Sequence, residues 1–214
     1  MTIAFQKSPI FFRALGARVA LVLSLAALAF VGATSAQACA CCTQTAWRRV
    51  EVEKLDSSTL AEISHVRFAK TAQLMMREAD EDTIKGVKDP QEDYELGMER
   101  MKERWVFSFR DKKGRTGMLT LSLPKTISIF EVDPRHGTDK GQGPVLYKEW
   151  KLTANAVGDG LFRAGTGRDQ KMTLVLHGRG NGCTSADDFT HWTLLVHGPT
   201  TAFTMYGKLD SAEK

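Results

Sequence analysis

Three thiols fall within four residues at Cys39-Ala-Cys41-Cys42, and a fourth stands alone at Cys183 in the stretch GRGNGCTSADD. Two chemistries are open to such a set. In an oxidising compartment thiols pair; as thiolates they hold soft ions such as copper(I) or zinc(II). A disulfide from Cys183 to one of the first three would close a loop of more than 140 residues. The chain-entropy relation gives such a bridge roughly 5 kcal/mol of stabilisation. Four cysteines allow three pairings, and one of these joins adjacent Cys41 and Cys42, which is strained. C-x-C-C is not a standard zinc spacing. Disulfide tethering is therefore the expectation, with copper or zinc binding as the alternative.

Two imidazoles bear on that alternative. His177 and His191 lie on either side of the Cys183 stretch, each at the end of an alternating run. If those runs form a hairpin, His177, Cys183 and His191 gather at one end, and the histidines become secondary metal ligands. His197 stands six residues from His191, about 20 Å along a strand, and does not join them. His65 and His136 have no evident partner. Arg179, Asp187 and Asp188 flank the same loop, where an acid–base or ion-binding group can be drawn. The simpler expectation is loop ordering, with Asp188 accepting backbone hydrogen bonds and Arg179 paired with an acid.

No catalytic signature accompanies these residues. The chain has no G-x-S-x-G elbow, no H-E-x-x-H, no phosphate loop and no dinucleotide fingerprint. Gly165-Thr-Gly167-Arg168 has no strand-to-helix context and reads as a turn. The expectation leans away from an enzyme.

Residues 1–38 read as an export signal. Lys7, Arg13 and Arg18 precede the apolar run Val19–Phe30, and small residues end at Ala36-Gln37-Ala38. These twelve residues, apolar but for Ser24, make a helix of about 18 Å, short of a hydrocarbon core of about 30 Å. Removal after Ala38 makes Cys39 the first mature residue. Lipid attachment there would bring the protein to a membrane, but Ala36 and Gln37 fit lipoprotein processing poorly. The expected location is the periplasm or the medium of a bacterium.

The leader also accounts for the charge. The whole chain of 214 residues carries 29 Lys and Arg against 25 Asp and Glu, a net of +4. Without the three leader cations, 26 bases face 25 acids over the remaining 176 residues. That balance gives no reason to expect a nucleic-acid partner. At 43% hydrophobic and 25% charged, the composition excludes a disordered chain and a multi-span membrane protein. Residues 39–214 are expected to form one domain.

The elements that must position the thiols and imidazoles are mostly strands. Trp105, Phe107 and Phe109 alternate with Val106, Ser108 and Arg110. Similar runs occur at 118–123, 127–132, 145–152, 172–177, 189–197 and 201–209, and less distinctly at Arg48–Lys54 and Phe68–Arg77. Asp111-Lys-Lys-Gly114 and Gly198-Pro199 read as hairpin turns. Longer connections fall at Asp133–Pro144 and Gly178–Asp188. Helices are expected at Asp56–Ile63, with Thr59 and Glu62 at capping-box spacing, and at Pro90–Glu103 behind an Asp89 cap. Tyr94, Met98, Met101 and Trp105 would form the packing stripe of that second helix. The expected fold is all-β, mainly an antiparallel meander, as a closed barrel or a sandwich. Closure is favoured because about nine open strands would leave long unpaired edges.

CACC at the mature start, together with GRGNGCTSADDFTHWTLLV near the end, resembles a group of uncharacterised exported bacterial proteins. The resemblance rests on those two stretches plus the general strand pattern between them, about a fifth of the chain. It implies export and a coupling between the two cysteine regions, and it carries no mechanism. The expected function is an exported, non-enzymatic β domain with a cysteine-tethered N-terminus that binds a small ligand or a protein partner. The alternative is a thiolate protein for copper or zinc.

Overall fold

Apolar side chains on alternate positions of Arg104–Asp111 face one way, and the strand pairs on both sides along its length. The same rule builds the rest. In the computed structural model, residues 47–76, 84–134, 146–167, 169–180 and 186–210 are described. The leader, all four cysteines, His136 and Arg168 lie outside the described residues. The described strands and helix all belong to the unit Cys39–Lys214.

Twelve strands occur in this order: β1 (Arg48–Lys54), β2 (Arg67–Phe68), β3 (Thr71–Leu74), β4 (Asp93–Met101), β5 (Arg104–Asp111), β6 (Thr116–Ser122), β7 (Thr126–Val132), β8 (Leu146–Asn155), β9 (Val157–Gly160), β10 (Lys171–Gly180), β11 (Phe189–Gly198) and β12 (Thr201–Asp210). Helix α1 (Ser57–Ser64) lies between β1 and β2. The fold is thus an antiparallel β fold with one short helix. Asp56, not Thr59, caps that helix, its Oδ1 accepting from the Thr59 N–H at 2.8 Å. Gly114, at φ +77°, turns the chain from β5 to β6.

Two expectations are corrected. The stretch Pro90–Glu103 is not helical: β4 pairs with β5 from Tyr94↔Asp111 to Met101↔Arg104. Tyr94 and Met98 are four residues apart, a spacing shared by a helical stripe and a strand face. Buried Leu96 between them belongs only to the period-two pattern. Asp89 has φ +45°, outside the extended region a cap occupies, and its carboxylate takes Arg115 Nη1 at 2.6 Å instead.

The expected closure does not occur either. The strand order is β1-β7-β8-β10-β11-β12-β3-β4-β5-β6-β9, with β2 beside β12. Among the described residues the sheet is open at β1 and β9, so the domain is sandwich-like and not a closed barrel. Each edge is blunted. β9 has four residues. On β1, Arg49 bonds Glu51 at 2.7 Å and also pairs with Glu53. Charges along one face of an edge strand discourage further pairing.

The two halves of the sheet meet through aromatic rings. Phe107 of β5 stacks on Trp192 of β11 at 6.3 Å between centroids, and Phe68 touches both. Farther along, Phe162 contacts Phe109 at 5.2 Å and Phe203 at 5.5 Å. These are offset and edge-to-face contacts of the kind aromatic pairs favour. Trp192 is fully buried, yet its Nε1–H meets no acceptor among the described residues.

Replacing Phe107 by Ala is expected to cost about 3–5 kcal/mol, because the cavity lies where both halves converge. Val52→Ala, at a residue 70% exposed, is expected to change stability by less than about 0.5 kcal/mol. Chemical denaturation of both variants checks the assignment of inside and outside.

Candidate functional site

The residues singled out around Cys183 sit where β7, β8, β10 and β11 end side by side. Register places Val132 opposite Tyr147, and Tyr147 opposite Arg179. Further along β10, His177 faces Glu149 on one side and His191 on the other once the intervening Gly178 is passed. β10 runs to Gly180 at this end, two residues beyond the expected start of the connection, and a bulge between His177 and Gly178 shifts the register with β11.

The interior face of this end is charged. Lys148 follows the inward positions of β8, between Leu146 and Trp150, and is completely buried. Its Nζ meets Asp188 Oδ2 at 2.7 Å. A buried ammonium needs such a partner, because desolvation costs several kcal/mol. Gly180 leaves room for the carboxylate: a Cβ there would lie 1.8 Å from Asp188 Oδ1. Glu131 is buried next to Lys148 in register, with Arg49 Nη1 at 3.9 Å from its Oε2. Asp133 is buried too. Asp188, expected to accept backbone hydrogen bonds, carries a side-chain ion pair to Lys148. Its neighbours separate: Arg179 is exposed beside Tyr147, and Asp187 is exposed toward α1.

The outer face of the same strands carries the imidazoles. The His177 and His191 rings stack at 5.7 Å with 21° between planes. His177 Nε2 lies 3.3 Å from Thr193 Oγ1, and His191 Nδ1 lies 2.9 Å from Thr190 Oγ1. Burial and then the neighbouring His191 depress the His177 pKa, against the pull of Glu149. Burial raises Glu149, but hydrogen bonds from Lys151 and Tyr147 hold it below the ordinary value. Tyr147, half buried and donating to Glu149 Oε1 at 2.5 Å, is pushed up to about 12. Sequence reasoning thus anticipated the histidine pair. His197 lies opposite Ala202 at the far end of β11, away from it. Among the described residues, no group of three or more His, Cys, Asp or Glu is arranged to hold a metal ion.

Sequence reasoning missed Lys148, Glu131 and Arg100. The first two carried a signal, since each interrupts an alternating apolar face. Arg100 did not. It lies near the end of β4, donates to the Val66 carbonyl, and sits over Trp105 at 5.1 Å and Phe68 at 5.6 Å. With Glu62, Ser64, His65, Arg67 and Asp187 it lines an open groove of about 460 Å³. Glu62 is not part of a capping box; its Oε1 accepts the Ala186 N–H and fastens α1 to the 3-10 turn Ala186–Asp188.

The fold and this end of the sheet define an antiparallel β-sandwich-like domain with a charged, histidine-bearing end. No protein-family profile, curated protein or solved structure matches the chain.

Removing the carboxylate with Asp188→Ala is expected to destabilise by about 3 kcal/mol, since Lys148 loses it inside the protein. Adding Lys148→Met should recover much of that loss, and a double-mutant cycle reads the coupling. The depressed His177 pKa makes the native state bind fewer protons than the unfolded chain. Its contribution is therefore complete above the ordinary value of 6.5 and falls as pH drops below it. Urea denaturation across that window should show a slope that His177→Gln flattens.

Proposed function

We propose that the chain is an exported, non-enzymatic β domain whose N-terminal segment is tethered by a disulfide between Cys183 and one of Cys39, Cys41 and Cys42. It acts by binding a small ligand or a protein partner, in the bacterial periplasm or outside the cell. One observation supports the reading. Trp47, the first described residue after the cysteine cluster, accepts the Asp133 N–H at 2.8 Å, and the chain leaves β10 toward Cys183 at Gly180, opposite Leu146. Both flanks emerge at the same end of β1, β7, β8 and β10. Three strand spacings separate them, about 14 Å, and the five residues from Cys42 to Trp47 reach up to about 17 Å. Stacked rings occupy the core between the sheet halves, so a ligand or partner would be met at the surface.

A second reading is favoured by the imidazole pair. The rings of His177, whose pKa is depressed by burial and by His191, and of His191 stack on neighbouring strands. Together with the N-terminal thiols they would suit copper or zinc.

Thiol titration and peptide mass mapping of the unfolded, unreduced mature protein separate the two. A cross-link between the peptide holding Cys183 and the peptide holding Cys39–Cys42 is the expected result. Four reactive thiols that disappear on adding copper(I) or zinc(II), with the response weakened in His177→Ala, would replace tethering by metal binding. Intact mass reads the processing site and any lipid on Cys39.

A further inference from the structure

We propose that the groove between α1, β2 and the end of β4 is a binding site for a carboxylate group of a small ligand, with Arg100 as the residue that receives it. The site deepens the binding role proposed above and stands independently of the cysteine tether. Arg100 forms no ion pair among the described residues, although seven other cations of the domain have one. Its guanidinium is half buried, and burial alone pulls its pKa down. Taking a guanidinium out of water without a carboxylate is costly. The rings of Trp105 and Phe68 recover part of that cost through cation–π contact.

The donors show where a ligand would sit. Arg100 Nη2 donates to the Val66 carbonyl, and the Nε–H is closed off from solvent with no acceptor among the described residues. A guanidinium carries five N–H donors in a planar fork, so the rest of its terminal N–H groups are uncommitted while the residue lines the groove. Aromatic rings and the Val66 carbonyl hold that fork in one orientation before any ligand arrives. Preorganised donors of this kind match the two oxygens of a carboxylate.

The rest of the lining limits the ligand. Arg67 and His65 add donors, whereas Glu62 and Asp187 bring negative charge. The formal charges of the two arginines and two acids cancel, which suits a ligand with one negative group and disfavours a polyanion. One oxygen of Glu62 is already occupied by the Ala186 N–H. The volume of about 460 Å³ falls in the range typical of small-molecule sites.

Titration of the mature, processed chain with sodium acetate and, in parallel, with inorganic phosphate tests the proposal by residue-resolved NMR. Saturable acetate shifts are expected at Ser64, His65, Arg67 and Arg100, with phosphate weaker. Arg100→Met, which keeps an apolar stem over Trp105, should weaken acetate roughly tenfold or more, as expected for a charged hydrogen bond. Arg67→Gln should weaken it by less. Shifts confined to other surfaces, or acetate affinity unchanged in Arg100→Met, would overturn the site. Tighter phosphate than acetate would overturn the carboxylate assignment. Should Arg100→Met fail to fold, the wild-type shift map decides by itself. None of these readouts depends on the thiols, so a missing tether and a missing anion site are told apart.

Discussion

The contact between Phe107 and Trp192 is what lets an open sheet behave as one body. Eleven of the strands form a single hydrogen-bonded path whose two ends never meet. Such a sheet has no closure to hold its curvature, so its halves must share a core. The ring of β5 lies against the indole of β11, and Phe68 completes the contact from the short β2. Apolar area removed from water is the main stabilising contribution in a domain of this size. Here it also replaces the hydrogen bonds that a closed barrel would have made between its first and last strands.

That solution leaves one end of the sandwich with a polar interior. Glu131, Asp133 and Lys148 are buried near the ends of strands whose other buried positions hold Ile127, Ile129, Trp150 and Leu152. Lys148 is stabilised by Asp188, which comes down from the 3-10 turn Ala186–Asp188. The turn is held from its other side by Glu62 of α1. A chain of polar contacts therefore runs from β8 through the turn to the helix, and the helix forms one wall of the Arg100 groove. Buried ion pairs add little net stability over apolar residues of like size, but they select one geometry. At this end that geometry sets the position of the 3-10 turn and of the groove.

Much of the fold was legible because period-two alternation is a local property. The runs around Trp105, Leu119, Ile127 and Phe189 needed no knowledge of their neighbours, and Gly114 marked its turn. The helix expected over Pro90–Glu103 failed because Tyr94 and Met98 are compatible with either period, and pairing with β5 outweighed the capping signals before it. Closure failed for a related reason. The need to protect edges was correctly recognised, but charge on β1 and the brevity of β9 meet it without a barrel. Of the site, the pairing of His177 with His191 followed from hairpin geometry. Arg100 could not be found, since a cation within the stretch expected to be helical gains meaning only from what folds over it.

The amino-acid sequence by itself determined which segments become strands and which side chains of each strand share a face, because those depend on spacing along one chain. It also placed the histidines on either side of a long connection. Only the tertiary structure decided that the sheet stays open, that Lys148 meets Asp188 across 40 residues, and that Arg100 lies on two rings with no carboxylate paired to it among the described residues. Each of these depends on contacts between segments distant in the chain, where the free energy of burying a charge or a ring is set by what arrives from elsewhere.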